Sequence, residues 1–160
     1  LRQDIQSEMK KRGTQCQCVR CREVKGKTIT TESLRLDDLT YMAGSAEEHF
    51  ISFVTPEDGL AGFIRLSLPA KDSPATGMVD LEGAALIREV HVYGQSLEVG
   101  AEKTGAAQHS GLGTRLLEEA ENAARKNGFK KMAVISAIGT RHYYLGRGFE
   151  RGEHYLIKDL

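Results

Sequence analysis

At 160 residues the chain is long enough to bury one good core, and its apolar content is that of an ordinary soluble domain. Its 22 Lys and Arg balance 22 Asp and Glu, so the net charge points to no class of partner. No apolar run approaches the ~20 residues of a membrane helix and no secretory leader is visible, so a cytoplasmic protein without membrane contact is expected; the start at Leu1, not Met, suggests a piece of something larger.

Leu1, Ile5 and Met9 recur at helical spacing and Gly13 stops the run, predicting a helix to Lys11. Lys10 to Lys27 then holds seven basic residues (Lys10, Lys11, Arg12, Arg20, Arg22, Lys25, Lys27) and one acid, Glu23. Such a run either neutralises nucleic-acid phosphates or stands as a solvated face. All three cysteines lie inside it, as Cys16-x-Cys18-x-x-Cys21. An odd count without a leader argues against disulfides. Closely spaced thiolates suit a soft metal, zinc first and an iron–sulfur site second, with free thiols in a turn as the non-metal reading. The fourth ligand would be His49, His91, His109, His142 or His154, or a residue ahead of Leu1.

Ser33 to Met42 alternates and reads as a strand with an irregularity at Asp37-Asp38. Phe50–Val54 and Leu60–Leu68, joined by Pro56-Glu57-Asp58-Gly59, predict a hairpin. Pro69 to Gly77 is a surface loop, Ala84 to Tyr93 the strongest strand, and Gly94 to Ala107 a polar loop. Thr114 to Asn127 is a helix whose apolar face holds Leu112, Leu116 and Ala120, ended by Asn127-Gly128. Met132–Ser136 is a short buried strand, Thr140 caps a brief helix to Leu145, and Phe149–Ile157 is a last strand. The order predicts an α+β fold with a mixed sheet.

Gln108-His109-Ser110-Gly111-Leu112-Gly113 sits between the strongest strand and the long helix. Glycines let the backbone come close to a ligand, and unpaired N–H groups with the helix dipole favour an anion there. Leu112, Gly113 and Thr114 offer such groups, Arg115 can add charge, and His109 either contacts phosphate or is merely exposed. Along the preceding strand, Ile87, Glu89, His91 and Tyr93 are expected on one face. Glu89 or His91 could act as a base or orient a water, or both could be structural partners of each other.

Gln-x-x-Gly-x-Gly in this place resembles the pyrophosphate loop of the GNAT acetyltransferases, and Tyr144 four residues before Gly148-Phe149 matches that family's tyrosine. The resemblance implies a mostly antiparallel GNAT sheet with flanking helices and bound acetyl-CoA. Its pantetheine would lie on Glu89, Val90, His91 and Val92, its diphosphate on Gln108, His109, Gly111, Leu112, Gly113 and Thr114, and its sulfur near Tyr144, whose phenol would protonate the leaving thiolate.

A narrower resemblance spans almost the whole chain. Cys16–Val24, Arg88–Gly94, Gln108–Gly113, Val134–Ser136 and Gly139–Tyr144, in that order, are similar to the acetyltransferase half of the Elongator catalytic subunit family. That resemblance implies zinc at Cys16, Cys18 and Cys21, residues 1–32 as a metal-binding linker and 33–160 as the acetyl-CoA domain. It further implies tRNA as partner, a carboxymethyl-type modification at C5 of a wobble uridine, a radical-SAM domain with its iron–sulfur cluster and S-adenosylmethionine, and contact with other Elongator-type subunits. The present chain has no C-x3-C-x2-C cluster, so the radical-SAM half is expected elsewhere. Arg141, His142 and Arg147, with Lys130 and Lys131, are candidates for a basic tRNA surface. The short gap from Ala43 to Glu48 leaves no room for the two helices that line a small-amine pocket in ordinary GNAT enzymes. Two other readings stay open: a zinc-containing tRNA-binding module without catalysis, and a protein-lysine acetyltransferase.

Overall fold

The computed structural model describes residues 1–24, 31–93 and 107–160, with the backbone course alone at 31 and 107–110. The loop expected from Gly94 onward, Lys25 and Lys27, and the side chains of Gln108 and His109 lie outside the described residues.

Helix α1 (Arg2–Lys11) ends at Gly13, whose φ of +67° suits glycine. Its Glu8 pairs with Arg12 at 2.9 Å, and none of its residues is buried. A single turn, α2 (Val19–Arg22), follows the first two cysteines. Then β1 (Arg35–Ala43), β2 (Ala46–Val54), β3 (Leu60–Pro69) and β4 (Ala84–Val92) form an antiparallel meander. The long helix α3 (Ala107–Lys126) crosses to β5 (Lys131–Val134), which lies parallel to β4. After α4 (Arg141–Leu145) the chain closes with β6 (Glu150–Arg151) and β7 (Leu156–Asp159), β7 pairing antiparallel with β5. The seven strands lie in the order β1-β2-β3-β4-β5-β7-β6. The fold is the expected α+β, mostly antiparallel sheet with flanking helices. No helix among the described residues is long and apolar enough to cross a membrane.

The core is the apolar stripe of α3 laid on the sheet. Leu112, Leu116, Leu117, Ala120 and Ala124 are buried against Ile51, Phe53, Ile64, Leu66 and Ile87. Gly128, at φ +83°, ends the helix as the Asn-Gly pair predicts.

Several boundaries differ from the sequence reading. Helix α3 begins at Ala107, not Thr114, because Leu112 is fully buried one turn ahead of Leu116 and carries the apolar stripe toward the N-terminus. Strand β1 is regular through Asp37-Asp38, each residue paired in turn with β2. The irregularities fall instead at Phe53/Val54 and Arg65/Leu66. Strand β5 stops at Val134, short of Ser136. The last strand is a hairpin: Asp80, buried beneath it, accepts the N–H groups of His154 (2.7 Å) and Tyr155 (3.0 Å) and holds the chain in a turn. Strand β1 passes to β2 through Gly44 (φ +63°) and Ser45, with no helices between, as the short gap predicts.

Candidate active site

Strand β4 is paired on both edges only as far as Ile87, which lies opposite Val134 of β5. From there β5 gives way to Ile135, Ser136 and a 3-10 turn at Ile138–Thr140. Residues Arg88 to Val92 continue β4 against β3 alone. The two strands part, and among the described residues no strand pairs with the β5-side N–H and C=O groups of this stretch. Such an edge accepts an extended, amide-bearing ligand by strand-like hydrogen bonding.

The opening coincides with a β-bulge. Arg65 lies opposite Glu89 but Leu66 opposite Ile87, so Arg88 is the extra residue. Bulges re-aim side chains. Ile87 therefore enters the α3 core, whereas Glu89 and His91 share the other face with Arg65 and Phe63. The expectation of a single face from Ile87 to Tyr93 fails at Ile87 for this reason. Arg88 reaches the buried Glu48 at 3.1 Å.

On that second face Glu89 and His91 meet. His91 Nε2 lies 2.9 Å from Glu89 Oε1, and Arg65 Nη1 donates to Glu89 Oε2 at 3.4 Å. The half-exposed His91 ring stacks on buried Phe63, with centroids 5.2 Å apart, and on Tyr93 at 6.1 Å. Burial, then the charges of Glu23 and Glu89, raises the Tyr93 pKa. Val90 packs on the core, and Val92 reaches toward the start of α3.

Gln108 to Gly113 occupies the first turns of α3, so the N–H groups lacking a partner one turn back are those of Ala107 to Ser110. A Cβ on Gly111 would meet nothing within 4 Å, which leaves the backbone there open to approach. Gly113 differs: a Cβ would lie 2.5 Å from the Tyr143 hydroxyl and 3.7 Å from Val92. The adjacent Thr114 hydroxyl accepts from Arg147 Nε (3.1 Å) and Nη2 (2.8 Å), while Arg147 Nη1 donates to the Tyr143 carbonyl at 2.8 Å. The guanidinium also lies 3.6 Å from the Tyr143 ring centre. Arg147 thus ties α4 to α3 and is spent inside the fold. Arg115 likewise covers the Phe53 ring at 4.4 Å.

Tyr144 is 7% exposed, edge-on to Tyr143 and Phe149 at 5.2 and 5.5 Å between ring centres. Burial, with Tyr143 beside it, raises its pKa, so the phenol keeps its proton at neutral pH. Burial raises Tyr143 as well, offset in part by the charge of Arg147 and by the Thr114 hydroxyl beside it.

At the same end of the sheet as Val92, where Glu23 bridges Leu60, the sulfurs of Cys16, Cys18 and Cys21 converge within 4.8 Å of one another. Hydrogen bonds from the Cys16 thiol and then the Cys21 backbone bring the Cys18 thiol down to about 7. Three converging soft donors, one of them readily ionised, fit a thiophilic metal. No fourth ligand joins them among the described residues. His49 is held by Asp38 (2.8 Å) and Glu47 (3.1 Å), His91 by Glu89, and His154 faces Glu153. The cysteine loop is bolted to the β2–β3 turn: Arg22 Nη2 meets Asp58 Oδ1 at 2.7 Å and Val24 N–H donates to the Leu60 carbonyl at 3.2 Å. Val19 of α2 packs on the small cluster of Val54, Leu60 and Phe63, the last of which stacks on His91.

Arg65, Phe63 and Tyr143 were not foreseen as parts of the site. Alternation in Leu60–Leu68 puts Arg65 and Phe63 on one face, but which β4 residues they meet depends on the bulge, which has no sequence marker.

The model of the acetyltransferase (GNAT) family matches residues 22–149. The tRNA uridine(34) acetyltransferase of Dehalococcoides mccartyi is 38% identical over all of this chain and 36% of its own length. Elongator complex protein 3 of Homo sapiens is 38% identical over all of this chain and 30% of its own. The chain therefore spans about a third of the length of the curated relatives it matches. Among solved structures, the archaeal Elp3 of Methanocaldococcus infernus, with an N-terminal deletion, superposes with a TM-score of 0.79 at 35% identity, covering 96% of this chain and 38% of that one. AtaTR bound with AcCoA, at 15% identity and a TM-score of 0.50 over 80% of this chain and 94% of that one, shares the fold alone.

Proposed function

The chain belongs to the acetyltransferase (GNAT) family, and from that premise we propose that it binds acetyl-CoA between β4 and β5 and activates the thioester for modification of a tRNA wobble uridine. The observation that carries this reading is the bare β4 edge from Arg88 to Val92 beside the first turns of α3. The pantetheine amides pair with the backbone of Glu89, Val90, His91 and Val92. The diphosphate rests on the first turns of α3, from Gln108 and His109 to Gly111, with Leu112, Gly113 and Thr114 anchoring the helix that presents them.

In the cleavage step, His91, held by Glu89, takes a proton from a water. The water oxygen bonds to the acetyl carbon, the carbon–sulfur bond breaks, and Tyr144 gives its proton to the departing sulfur. Acetic acid forms with free CoA and ionises to acetate; His91 and the acid release their protons to solvent, and Tyr144 regains one from it. With tRNA bound, the acetyl group is directed to the nucleoside rather than lost to water. The names of the tRNA uridine(34) acetyltransferase and the Elongator proteins support RNA as the acceptor. So does the direct β1–β2 hairpin, which carries none of the helices that line a small-amine pocket in ordinary GNAT enzymes. The carboxymethyl outcome at C5 requires the radical-SAM domain implied by the resemblance. Residues 1–32 then form a metal-bearing linker, with Cys16, Cys18 and Cys21 supplying three of the four ligands of a structural zinc site, and residues 33–160 the acetyl-CoA domain of a cytoplasmic enzyme.

Isothermal titration with acetyl-CoA tests the reading. Saturable binding at micromolar to millimolar ligand, weakened by Gly113→Asp, is expected. Absence of heat and of thermal shift at millimolar ligand would contradict it, and tRNA binding without any thioester turnover would leave a zinc-containing RNA-binding module instead.

A further inference from the structure

A small cavity of about 170 Å³ opens beside the cleft, between the end of β5 and the β6–β7 turn. Ser136, Arg141, Arg151, Glu153, His154 and Tyr155 line it. Arg141 and Arg151 have no ion-pair or hydrogen-bond partner among the described residues, unlike Arg22, Arg65, Arg88, Arg125 and Arg147, whose guanidinium groups are engaged within the fold. Two free guanidinium groups beside a serine hydroxyl supply the forked donors that phosphate oxygens accept. Glu153 is the acid in the lining; it is 69% exposed and turned to His154 at 3.8 Å. Asp80 lies below the turn and is already bound by the His154 and Tyr155 N–H groups.

The location matters as much as the charge. Ser136 follows Val134, where β5 parts from β4, and Arg141 opens α4 three residues before Tyr144, about 4.5 Å along the helix axis. A group seated in this cavity lies within a nucleotide's reach of the phenol. Ile135 and Ile138, on either side of Ser136 in the chain, are 63% and 79% exposed and offer apolar surface to a sugar or base.

We propose that the cavity formed by Ser136, Arg141 and Arg151 seats a backbone phosphate of the RNA acceptor, next to the nucleotide presented to the cleft. The inference rests on the RNA reading above and makes it more specific. The site selects a phosphodiester-flanked nucleoside over a free nucleoside or a lysine side chain.

Binding of a fluorescein-labelled anticodon stem-loop RNA to the chain, followed by anisotropy across a potassium chloride series, tests it. Arg141→Gln and Arg151→Gln should each weaken binding severalfold and make the plot of log affinity against log salt shallower by about one. Lys126→Gln, at the far end of α3, should leave that slope unchanged. Acetyl-CoA affinity by calorimetry should stay within about twofold in every variant, so a failure of acetyl-CoA to bind the parent chain sinks the catalytic reading without touching this one. An unchanged salt slope in the double variant overturns the phosphate seat, as does a parent chain that binds no RNA at low salt. Inorganic phosphate that binds the parent but not the double variant, with RNA affinity equal in both, makes the cavity a free-phosphate site and also overturns the assignment.

Discussion

In the proposed reading, Tyr144 and Gly113 are the two residues on which the chemistry and the cofactor seat turn. Tyr144→Phe removes the proton donor and leaves the ring packed on Tyr143 and Phe149. It should slow thioester cleavage by about 10²-fold with acetyl-CoA affinity held within a few-fold. Equal single-turnover rates for mutant and parent would dismiss the role. Gly113→Ala places a methyl group 2.5 Å from the Tyr143 hydroxyl. Overpacking of this kind costs about 1–3 kcal/mol. The variant should melt lower and bind acetyl-CoA at least tenfold more weakly; unchanged melting would show that Tyr143 moves aside without loss. The two-glycine motif was legible from spacing, but the glycines have different reasons to exist. Gly111 keeps an approach open, whereas Gly113 admits a tyrosine from α4, a contact that spacing along the chain does not encode. Arg147 reads as a basic surface residue in sequence, yet it is tied to Thr114 and to Tyr143.

Two connecting elements set the shape around the cleft. The β6–β7 turn depends on Asp80, whose carboxyl is held below its usual range by the N–H groups of His154 and then Tyr155. A lowered folded-state pKa means that the unfolded chain binds the proton more tightly. The stabilisation is complete above the unfolded value of about 3.9 and is lost as pH falls from there through the folded value. The parent should thus lose urea resistance more steeply below about pH 4 than Asp80→Asn; matching slopes would refute the link. Gly152 lies against the Asp80 carboxylate, so Gly152→Ala should open the turn and lower the melting temperature. The cysteine loop is the second element. Cys18→Ser should lower bound zinc, read by elemental mass spectrometry, and speed amide exchange from Val19 to Val24; unchanged metal content would reject the ligand set. Periodicity found the long helix and the β2–β3 hairpin, because a buried stripe and a turn leave local marks. It missed the split of the final strand, because the group that bends that strand sits in a remote 3-10 turn at Val79–Leu81.

At the scale of the whole molecule, the site arises where a mixed sheet stops being continuous. Four antiparallel strands bring β4 to the middle, α3 returns the chain parallel to it, and the short β5 releases its edge after Ile87. The order of strand, glycine-bearing helix and short strand was readable because each piece is local. The parting of β4 from β5 shows only in the structure, since no residue pattern says where a parallel pair ends. The second face leaves Leu39 and Tyr41 of β1 exposed at 63% and 40%, a surface that suits a large acceptor better than a small amine. This chain should therefore acetylate neither free polyamines nor a lysine peptide panel, and robust turnover on either would favour an ordinary N-acetyltransferase. The most direct trial of the account is a crystal structure of the chain with an acetyl-CoA analogue whose thioester cannot be cleaved. The pantetheine amides should be bonded to the backbone between Arg88 and Val92, with the diphosphate on the first turns of α3. A ligand bound elsewhere, with that edge of β4 bare, would contradict it.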